Sequence, residues 1–344
     1  MDFTLTALPY DIHQILLQSL LDQCPVSFVM LSYATKLYHK LTTNFVLKTN
    51  SQIKRKVKCY EIASSGYLSI LQWALSLNYK CTTHMTACAA LNGHLHILKW
   101  AHLHNYDLSS EVCGNAALNG HLHIIQWAYE KKRCVISQNI CHKAALRGHL
   151  HILVWMHQSR HRIGPLMCAN AALGGHLKIL KWTEKNGLFR KHGVCQNAAF
   201  GGHMDVIQWA IKNGCEWDIE CGNKAALGGH LHVLIWAKSQ GYIMNDDVCS
   251  YAAMGGHIEV LEWAHLNGYR LALWVLDSVT KNGHLEILKW AITHGYNNYV
   301  YDNICDIAVE YNQLHILIWA LSNGYSLSIY HHTNAKLKWP NIFQ

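Results

Sequence analysis

AALNGHLHILKWA, residues 89–101, returns almost letter for letter as AALNGHLHIIQWA at residues 116–128. The tryptophan of this stretch belongs to a longer series, whose members lie 27 to 29 residues apart. The series consists of Trp73, Trp100, Trp127, Trp155, Trp182, Trp209, Trp236, Trp263, Trp290 and Trp319. Self-similarity at a short fixed period is the sequence signature of a repeat array. The chain therefore contains ten units in series.

Each unit has the pattern of two short helices joined by a tight turn. Apolar residues recur at helical spacing on both sides of a Gly-His pair. A second glycine, as in Gly187 or Gly214, follows the tryptophan by five residues and suits the left-handed residue that ends a helix; Asn78 and Asn105 take its place in two early units. Residues predicted to cap the next helix at its N-terminus are Ser109, Ser110, Asp218, Asp246 and Asp247.

A single pair of short helices cannot bury its apolar face, but stacked neighbours can. We therefore expect an all-α fold, an α-solenoid of about ten 27-residue helix-turn-helix repeats. The Ala-Ala pair allows close helix contact, and Leu-Ile-Leu-Trp supplies the core.

AALNGHLHIIQWAYEK (116–131) and AALGGHLKILKWTEKNG (171–187) resemble the helical part of ankyrin repeats over residues 59–325. The Thr-Pro-Leu-His element of that family is absent, and the units are six residues shorter than the usual 33. The missing residues fall where ankyrin repeats carry a β-turn finger, so we expect short loops instead. Arrays of such shortened units are similar to the ankyrin families of giant DNA viruses. The resemblance implies binding of a protein target.

Residues 1–45 lie outside the repeat pattern and resemble an F-box. The residues that match the motif's first helix, and that would dock on a ligase adaptor, are Leu8, Pro9, Ile12, Ile15, Leu16 and Leu20. The F-box family docks on the adaptor subunit of a cullin–RING ubiquitin ligase, while a repeat domain recruits the substrate. A simple helical cap on the first repeat is the alternative. We expect a linker helix at 46–58 and a C-terminal cap or tail at 326–344.

Composition favours a folded protein that does not enter a membrane. Hydrophobic residues make up 51% of the chain and charged ones 15%, and the net charge is +8. No apolar run is long enough to cross a membrane, and no signal-type segment precedes residue 10, so we expect a cytoplasmic protein.

Thirteen cysteines are present. Seven of them stand fourteen residues before the repeated tryptophan: Cys59, Cys113, Cys141, Cys168, Cys195, Cys249 and Cys305. Equivalent positions in stacked helices lie roughly 8–10 Å apart, too far for a disulfide. We expect these cysteines to be small buried side chains in a reducing compartment.

The Gly-His series raises the question of a metal site. Its members are His94, His121, His149, His176, His203, His230, His257 and His284. The two histidines of His-Leu-His do not share a helix face, and equivalent histidines are about one helix spacing apart. We expect the first histidine to bond backbone at the turn between the helices, with no metal and no cofactor. No catalytic motif is present, and we expect no enzyme activity.

The first helix of each repeat should supply a partner-binding face, concave by analogy with ankyrin arrays. Its predicted binding residues are Asn115, Asn119, Lys143, Arg147, Asn170, Asn197, Lys224 and Tyr251. Ordinary solvated positions are the alternative interpretation. The leading hypothesis is an adaptor that brings a bound protein to a cullin–RING ligase; the second is a plain interaction scaffold. An RNA-binding solenoid ranks third because the aromatic residues are placed in the core, and we expect no nucleic-acid partner.

Overall fold

The computed structural model describes residues 58–76, 81–132, 134–296 and 303–340. The expected F-box-like domain at 1–45 and all but the last residue of the expected linker at 46–58 lie outside the described residues. The chain divides into two compact units, Met1–Gly164 and Pro165–Gln344.

The first unit contains eight helices among its described residues. They are α1 (Cys59–Ser64), α2 (Leu68–Ser76), α3 (Thr83–Leu91), α4 (Leu95–Leu103), α5 (Val112–Leu118), α6 (Leu122–Glu130), α7 (Gln138–Leu146) and α8 (Leu150–Gln158). Each pair of helices is one repeat.

The second unit contains six further pairs and one additional helix. They are α9 (Met167–Leu173), α10 (Leu177–Lys185), α11 (Val194–Gly201), α12 (Met204–Lys212), α13 (Ile219–Leu227), α14 (Leu231–Ser239), α15 (Asp247–Gly255), α16 (Ile258–Leu266), α17 (Val275–Asn282), α18 (Leu285–Thr293), α19 (Ile304–Glu310), α20 (Leu314–Ser322) and α21 (Ile329–Lys338). The described residues of both units hold helices, turns and loops but no strand, so the predicted α-solenoid class is confirmed.

Within each unit the first helices of successive repeats pack directly against one another, as α9, α11, α13 and α15 do. The Ala-Ala pair makes this possible: Ala89 and Ala90 in α3, and Ala225 and Ala226 in α13, are fully buried. The second helices of neighbouring repeats touch much less. They contribute the larger core side chains, such as Ile97 and Leu98. Small residues in one helix row and large ones in the other thus form a continuous core within each unit.

The turns follow the predicted glycine pattern. The glycine between the helices has a positive φ, +77° at Gly229, and so does the glycine that closes the second helix, +77° at Gly241. Asn105 adopts φ 59° at the closing position; Asn78 lies outside the described residues. Positive φ is strained for residues with a side chain and open to glycine, with asparagine next.

The helix caps follow the prediction only in part. Asp218 caps α13, since its Oδ1 accepts a hydrogen bond from Cys221 N at 3.0 Å. Asp246 stands at the predicted N-cap position of α15, but its side chain makes no cap bond and instead accepts one from Arg270 N, in the next loop. Ser109 accepts from Glu111 N but stands outside the helix that begins at Val112.

The expectation that the seven cysteines before the repeated tryptophans are unpaired is wrong for two of them, Cys59 and Cys113. Disulfides join Cys59 to Cys81 and Cys113 to Cys134, with Cα–Cα distances of 5.5 and 6.4 Å. Each partner lies in the loop that follows the second helix of the same repeat, whereas the argument from repeat spacing excluded only partners in neighbouring repeats. The other eight described cysteines form no disulfide, and seven of them are buried.

No helix among the described residues combines the length and the apolar character needed to cross a membrane.

Candidate interaction surface

In seven repeats the first histidine ties its repeat to the one before it. Its Nε2 lies 2.9–3.2 Å from a backbone carbonyl oxygen about thirty residues earlier. The pairs are His94–Ser64, His121–Leu91, His149–Leu118, His203–Leu173, His230–Phe200, His257–Leu227 and His284–Met254. A carbonyl only accepts, so Nε2 carries the proton in each pair.

The carbonyls that receive these bonds belong to the last turn of the preceding first helix. The final four carbonyls of a helix have no partner within it, and a nearby histidine can satisfy one of them. The imidazole reaches the carbonyl by lying over the turn glycine of the preceding repeat: a Cβ added to Gly229 would fall 2.5 Å from Nδ1 of His257. Glycine is thus required at this turn both for its φ and for the space it leaves.

The second histidine of His-Leu-His forms a parallel link. His96 and His151 place Nε2 2.9 Å from the carbonyl oxygens of Gly66 and Gly120, in the turn of the preceding repeat. Both residues are exposed, but their ring nitrogens still bond backbone.

Burial lowers the pKa of His121, His230 and His284, and the hydrogen bond to the carbonyl opposes that shift without cancelling it. These imidazoles are therefore held neutral near pH 7. No group of three or more histidine, cysteine or acidic side chains among the described residues is arranged to hold a metal ion.

The tryptophans are less buried than predicted. Among the described side chains of the series, Trp127 and Trp290 are buried and the others are half-buried. Two of these rings stack on a tyrosine six positions later, with centroids 5.3 Å apart in Trp100–Tyr106 and 6.2 Å apart in Trp290–Tyr296. The prediction that the whole series belongs to the core holds for Trp127 and Trp290 and is wrong for the half-buried members. The sequence argument against RNA binding assumed buried aromatic residues, so the partial exposure of these tryptophans weakens it.

Four of the predicted partner-binding residues use their amides on backbone. In the first unit, Asn119 Nδ2 donates to Leu91 O at 2.8 Å and Asn115 Nδ2 lies 3.4 Å from Ala87 O. In the second unit, the amides of Asn170 and Asn197 donate to carbonyls one turn earlier, at 3.0 and 2.7 Å. These side chains are in part structural.

The polar groups of the other four predicted residues are not used on backbone in this way. Arg147 is exposed, and Lys143, Lys224 and Tyr251 are half-buried. No hydrogen bond or ion pair to another described residue is found for any of them. Lys143 lies on α7 of the first unit, and Arg147 is the C-cap residue that follows this helix. Lys224 and Tyr251 lie on α13 and α15, which pack side by side in the second unit. The predicted docking residues Leu8, Pro9, Ile12, Ile15, Leu16 and Leu20 lie outside the described residues.

The sequence argument missed a second set of links, which tie several of the first helices to the loop closing their own repeat. They start from the position fourteen residues before the tryptophan. Cys59 and Cys113 form the disulfides there, and the backbone N–H groups of Gly164 and Arg190 donate to the sulfurs of Cys141 and Cys168 at 3.2 and 3.4 Å. Thr86 replaces cysteine in the second repeat and accepts from Ser109 N at 2.9 Å.

In eight of the ten repeats that position holds a cysteine or a threonine, whose side chains can hydrogen-bond; Gly222 and Leu276 replace them in the seventh and ninth repeats. The exchange of cysteine for threonine at a fixed offset from the tryptophan was the signal that could have revealed these links.

No family model matches this sequence, and no curated protein is significantly similar to it. Among solved structures, the pentatricopeptide repeat protein PPR10 in complex with an 18-nucleotide psaJ RNA element is similar at 8–9% identity and a TM-score of 0.37, over 96% of this chain. PPR10 from maize is similar at 7% identity and a TM-score of 0.34, over 87% of this chain and 59% of that one. The chain spans 64% of the length of the first two matches.

Likeness at this level does not assign a ligand to this chain, and the RNA belongs to PPR10. Nor does it support our expectation that nucleic acid is not a partner, which stays a prediction. The chain is a helical repeat scaffold; membership of the ankyrin and F-box families stays a hypothesis.

Proposed function

We propose that this chain is a non-enzymatic binding scaffold whose first helices present a protein-recognition surface. The observation that supports this proposal is a difference between the recurring side chains and the variable ones. The residues that recur in every repeat bond backbone or fill the core, while Lys224 and Tyr251 keep their polar groups free on the adjacent helices α13 and α15. A surface that varies on a fixed frame is how repeat arrays select their partners.

Affinity capture tests this surface. The full chain is compared with Lys224→Ala/Tyr251→Ala and with a control, Lys181→Ala/Gln208→Ala, whose residues are exposed on second helices. We expect a defined protein to be recovered with wild type and control and lost with the first variant, while all three melt at similar temperatures. Equal recovery by all three would show that recognition lies elsewhere.

The same samples decide between protein and RNA. Recovered material is treated with ribonuclease before analysis, and binding of labelled single-stranded RNA is measured at several salt concentrations, because phosphate contacts weaken as salt rises. Salt-dependent RNA binding that Lys224→Ala/Tyr251→Ala reduces, without any ribonuclease-resistant protein partner, would replace the protein proposal.

The finer proposal is that the N-terminal segment delivers the bound protein to a cullin–RING ligase. It rests on the resemblance of residues 8–41 to an F-box, with Leu8 and Pro9 at its start. Wild type should capture a ligase adaptor subunit and Leu8→Ala/Pro9→Ala should not. If neither captures it, or both do equally, the N-terminal segment has another role, such as a cap on the first repeat.

A further inference from the structure

Three cysteines meet in the sixth repeat and the start of the seventh. Cys195 lies in α11, Cys215 in the loop after α12, and Cys221 in α13. The thiols of Cys215 and Cys221 both lie within hydrogen-bonding reach of the Cys195 thiol. All three residues are buried, and they do not form a metal-binding group with other described residues.

Cys195 and Cys215 occupy the positions that are joined in the two disulfides. In Cys59–Cys81 and Cys113–Cys134, the first cysteine stands fourteen residues before the repeat tryptophan and the second in the loop after the second helix, with sequence separations of 22 and 21. Cys195 and Cys215 have the same placement around Trp209.

The loop cysteine is what distinguishes these three repeats. No other repeat has a cysteine in the loop after its second helix. In several of the others the first-helix side chain meets loop backbone instead: Cys249, for example, lies 3.3 Å from Tyr269 O. Wherever the described loop holds a cysteine, it thus faces the first-helix cysteine of its own repeat.

A surface cleft of about 410 Å³ gives access to the pair. Cys195 and Cys215 line it together with Lys191, His192, Gly193, Gln196, Gly214, Glu216 and Asp218. Cys221 does not line the cleft and is fully buried. A reagent that enters from solvent therefore meets Cys195 or Cys215 first.

The surroundings of the two cysteines indicate which of them reacts first. The hydrogen bond from Cys195 lowers the pKa of Cys215, and the positive charge of Lys191 lowers it further, against the effect of burial. The pKa of Cys195 is raised, first by its bond to Cys215 and then by its bond to Cys221 and by burial. Cys215 is thus the better thiolate, and the thiolate is the form that attacks a disulfide.

We propose that Cys195 and Cys215 are a thiol–disulfide exchange site that closes a third intra-repeat disulfide, with a low-molecular-weight disulfide such as glutathione disulfide as oxidant. The Cys215 thiolate attacks one sulfur of the oxidant, forming a mixed disulfide and releasing one glutathione thiolate, which takes up a proton. Cys195 then loses its proton to solvent and attacks Cys215 Sγ, which releases the second glutathione. Two protein thiols are oxidised, and one disulfide is reduced to two thiols.

Peptide mapping of the full chain tests the proposal. The protein is equilibrated with glutathione buffers of increasing oxidised fraction, its free thiols are blocked with N-ethylmaleimide, and it is digested with trypsin. Cleavage after Lys191, Lys212 and Lys224 places Cys195 in peptide 192–212 and Cys215 with Cys221 in peptide 213–224. We expect the two peptides to become linked while two thiols are lost, and the same link to form with hydroxyethyl disulfide.

Variants identify the sulfurs. The link should persist in Cys221→Ser and disappear in Cys215→Ser and Cys195→Ser, and thermal melting of each variant shows that it is folded. A link that survives Cys215→Ser but not Cys221→Ser, a disulfide within peptide 213–224, or no thiol loss under conditions that keep the Cys113–Cys134 disulfide oxidised would each overturn the proposal.

Discussion

Replacing one inter-repeat histidine should separate the hydrogen bond from simple packing. His230 Nε2 lies 2.9 Å from Phe200 O, in the last turn of α11, and the ring lies over Gly202. His230→Leu keeps apolar bulk over the glycine but removes the donor. A buried carbonyl left without a partner costs about 1–3 kcal/mol. Because this contact is partly open to solvent, we expect the lower half of that range, about 1–2 kcal/mol of unfolding free energy.

The chain supplies its own control. In the tenth repeat Gln313 replaces histidine, and its Nε2 donates to Lys281 O at 2.7 Å, the position equivalent to Phe200 O. His230→Gln should therefore retain most of the stability that His230→Leu loses. Urea denaturation followed by circular dichroism gives the free energy of unfolding of both variants. If glutamine proves as damaging as leucine, the bond is not what stabilises the contact.

His230→Gln should also change how the stability of the protein depends on pH. Burial lowers the pKa of His230 in the folded state, so the unfolded chain binds more protons as the pH falls through the ordinary value of 6.5. Stability is thus fully present above that pH and is lost below it. His121 and His284 act in the same direction. His230→Gln removes one of these groups, so its loss of stability between pH 7.5 and 5.5 should be smaller than that of wild type. An equal loss would exclude His230 as a contributor.

Three further predictions concern the turns, disulfides and caps. Gly229→Ala and Gly241→Ala impose the same backbone strain, since both glycines have φ +77°, but only at Gly229 does an imidazole lie against the added methyl group. Calorimetry should show a loss of unfolding free energy of about 1–2 kcal/mol for Gly241→Ala and a clearly larger loss for Gly229→Ala. Equal losses would contradict the packing of the imidazole on Gly229. The Cys113–Cys134 disulfide closes a loop of 21 residues. Cys113→Ser/Cys134→Ser should therefore lower the free energy of unfolding by about 3 kcal/mol in denaturant without reductant. Added reductant should lower the stability of this variant less than that of wild type. Asp218→Ala should cost about 1 kcal/mol and Asp218→Asn less, because the amide oxygen can still cap α13; identical melting temperatures for both would refute the cap.

The repeat fold was predictable because its determinants are periodic. The tryptophan spacing defined the units, and the two glycines at fixed offsets identified both turns. The role of the first histidine followed from its place beside the turn. The disulfides were not predicted, because they depend on which loop residue faces which helix. Cys81 and Cys134 lie in loops of different length, so their pairing with Cys59 and Cys113 has no fixed offset that a count along the chain would reveal.

The candidate surface was predictable only in part, for a chemical reason. An asparagine on a first helix can bind a partner or donate to the carbonyls of its own or the neighbouring helix, and the sequence is the same in both cases. Asn119 and Asn197 donate to backbone. Lysine and arginine side chains extend past the neighbouring backbone, which is why Arg147 and Lys224 remain available at the positions expected for them.

Each histidine link runs from one repeat to the repeat that precedes it in the sequence, so the array of repeats has a direction. Within a unit, each repeat donates backward, so the first helix of any repeat keeps unmet carbonyls until the next repeat is in place. As the chain is synthesised from its N-terminus, each new repeat completes the one already made. The tenth repeat is completed differently: α21 packs against α19, and Lys338 Nζ donates to Glu310 O, the final residue of α19, at 3.2 Å. A lysine on a single helix thus does for the last repeat what His230 does for the sixth repeat and Gln313 for the ninth, so shortened versions of this array should end in a helix that carries such a donor.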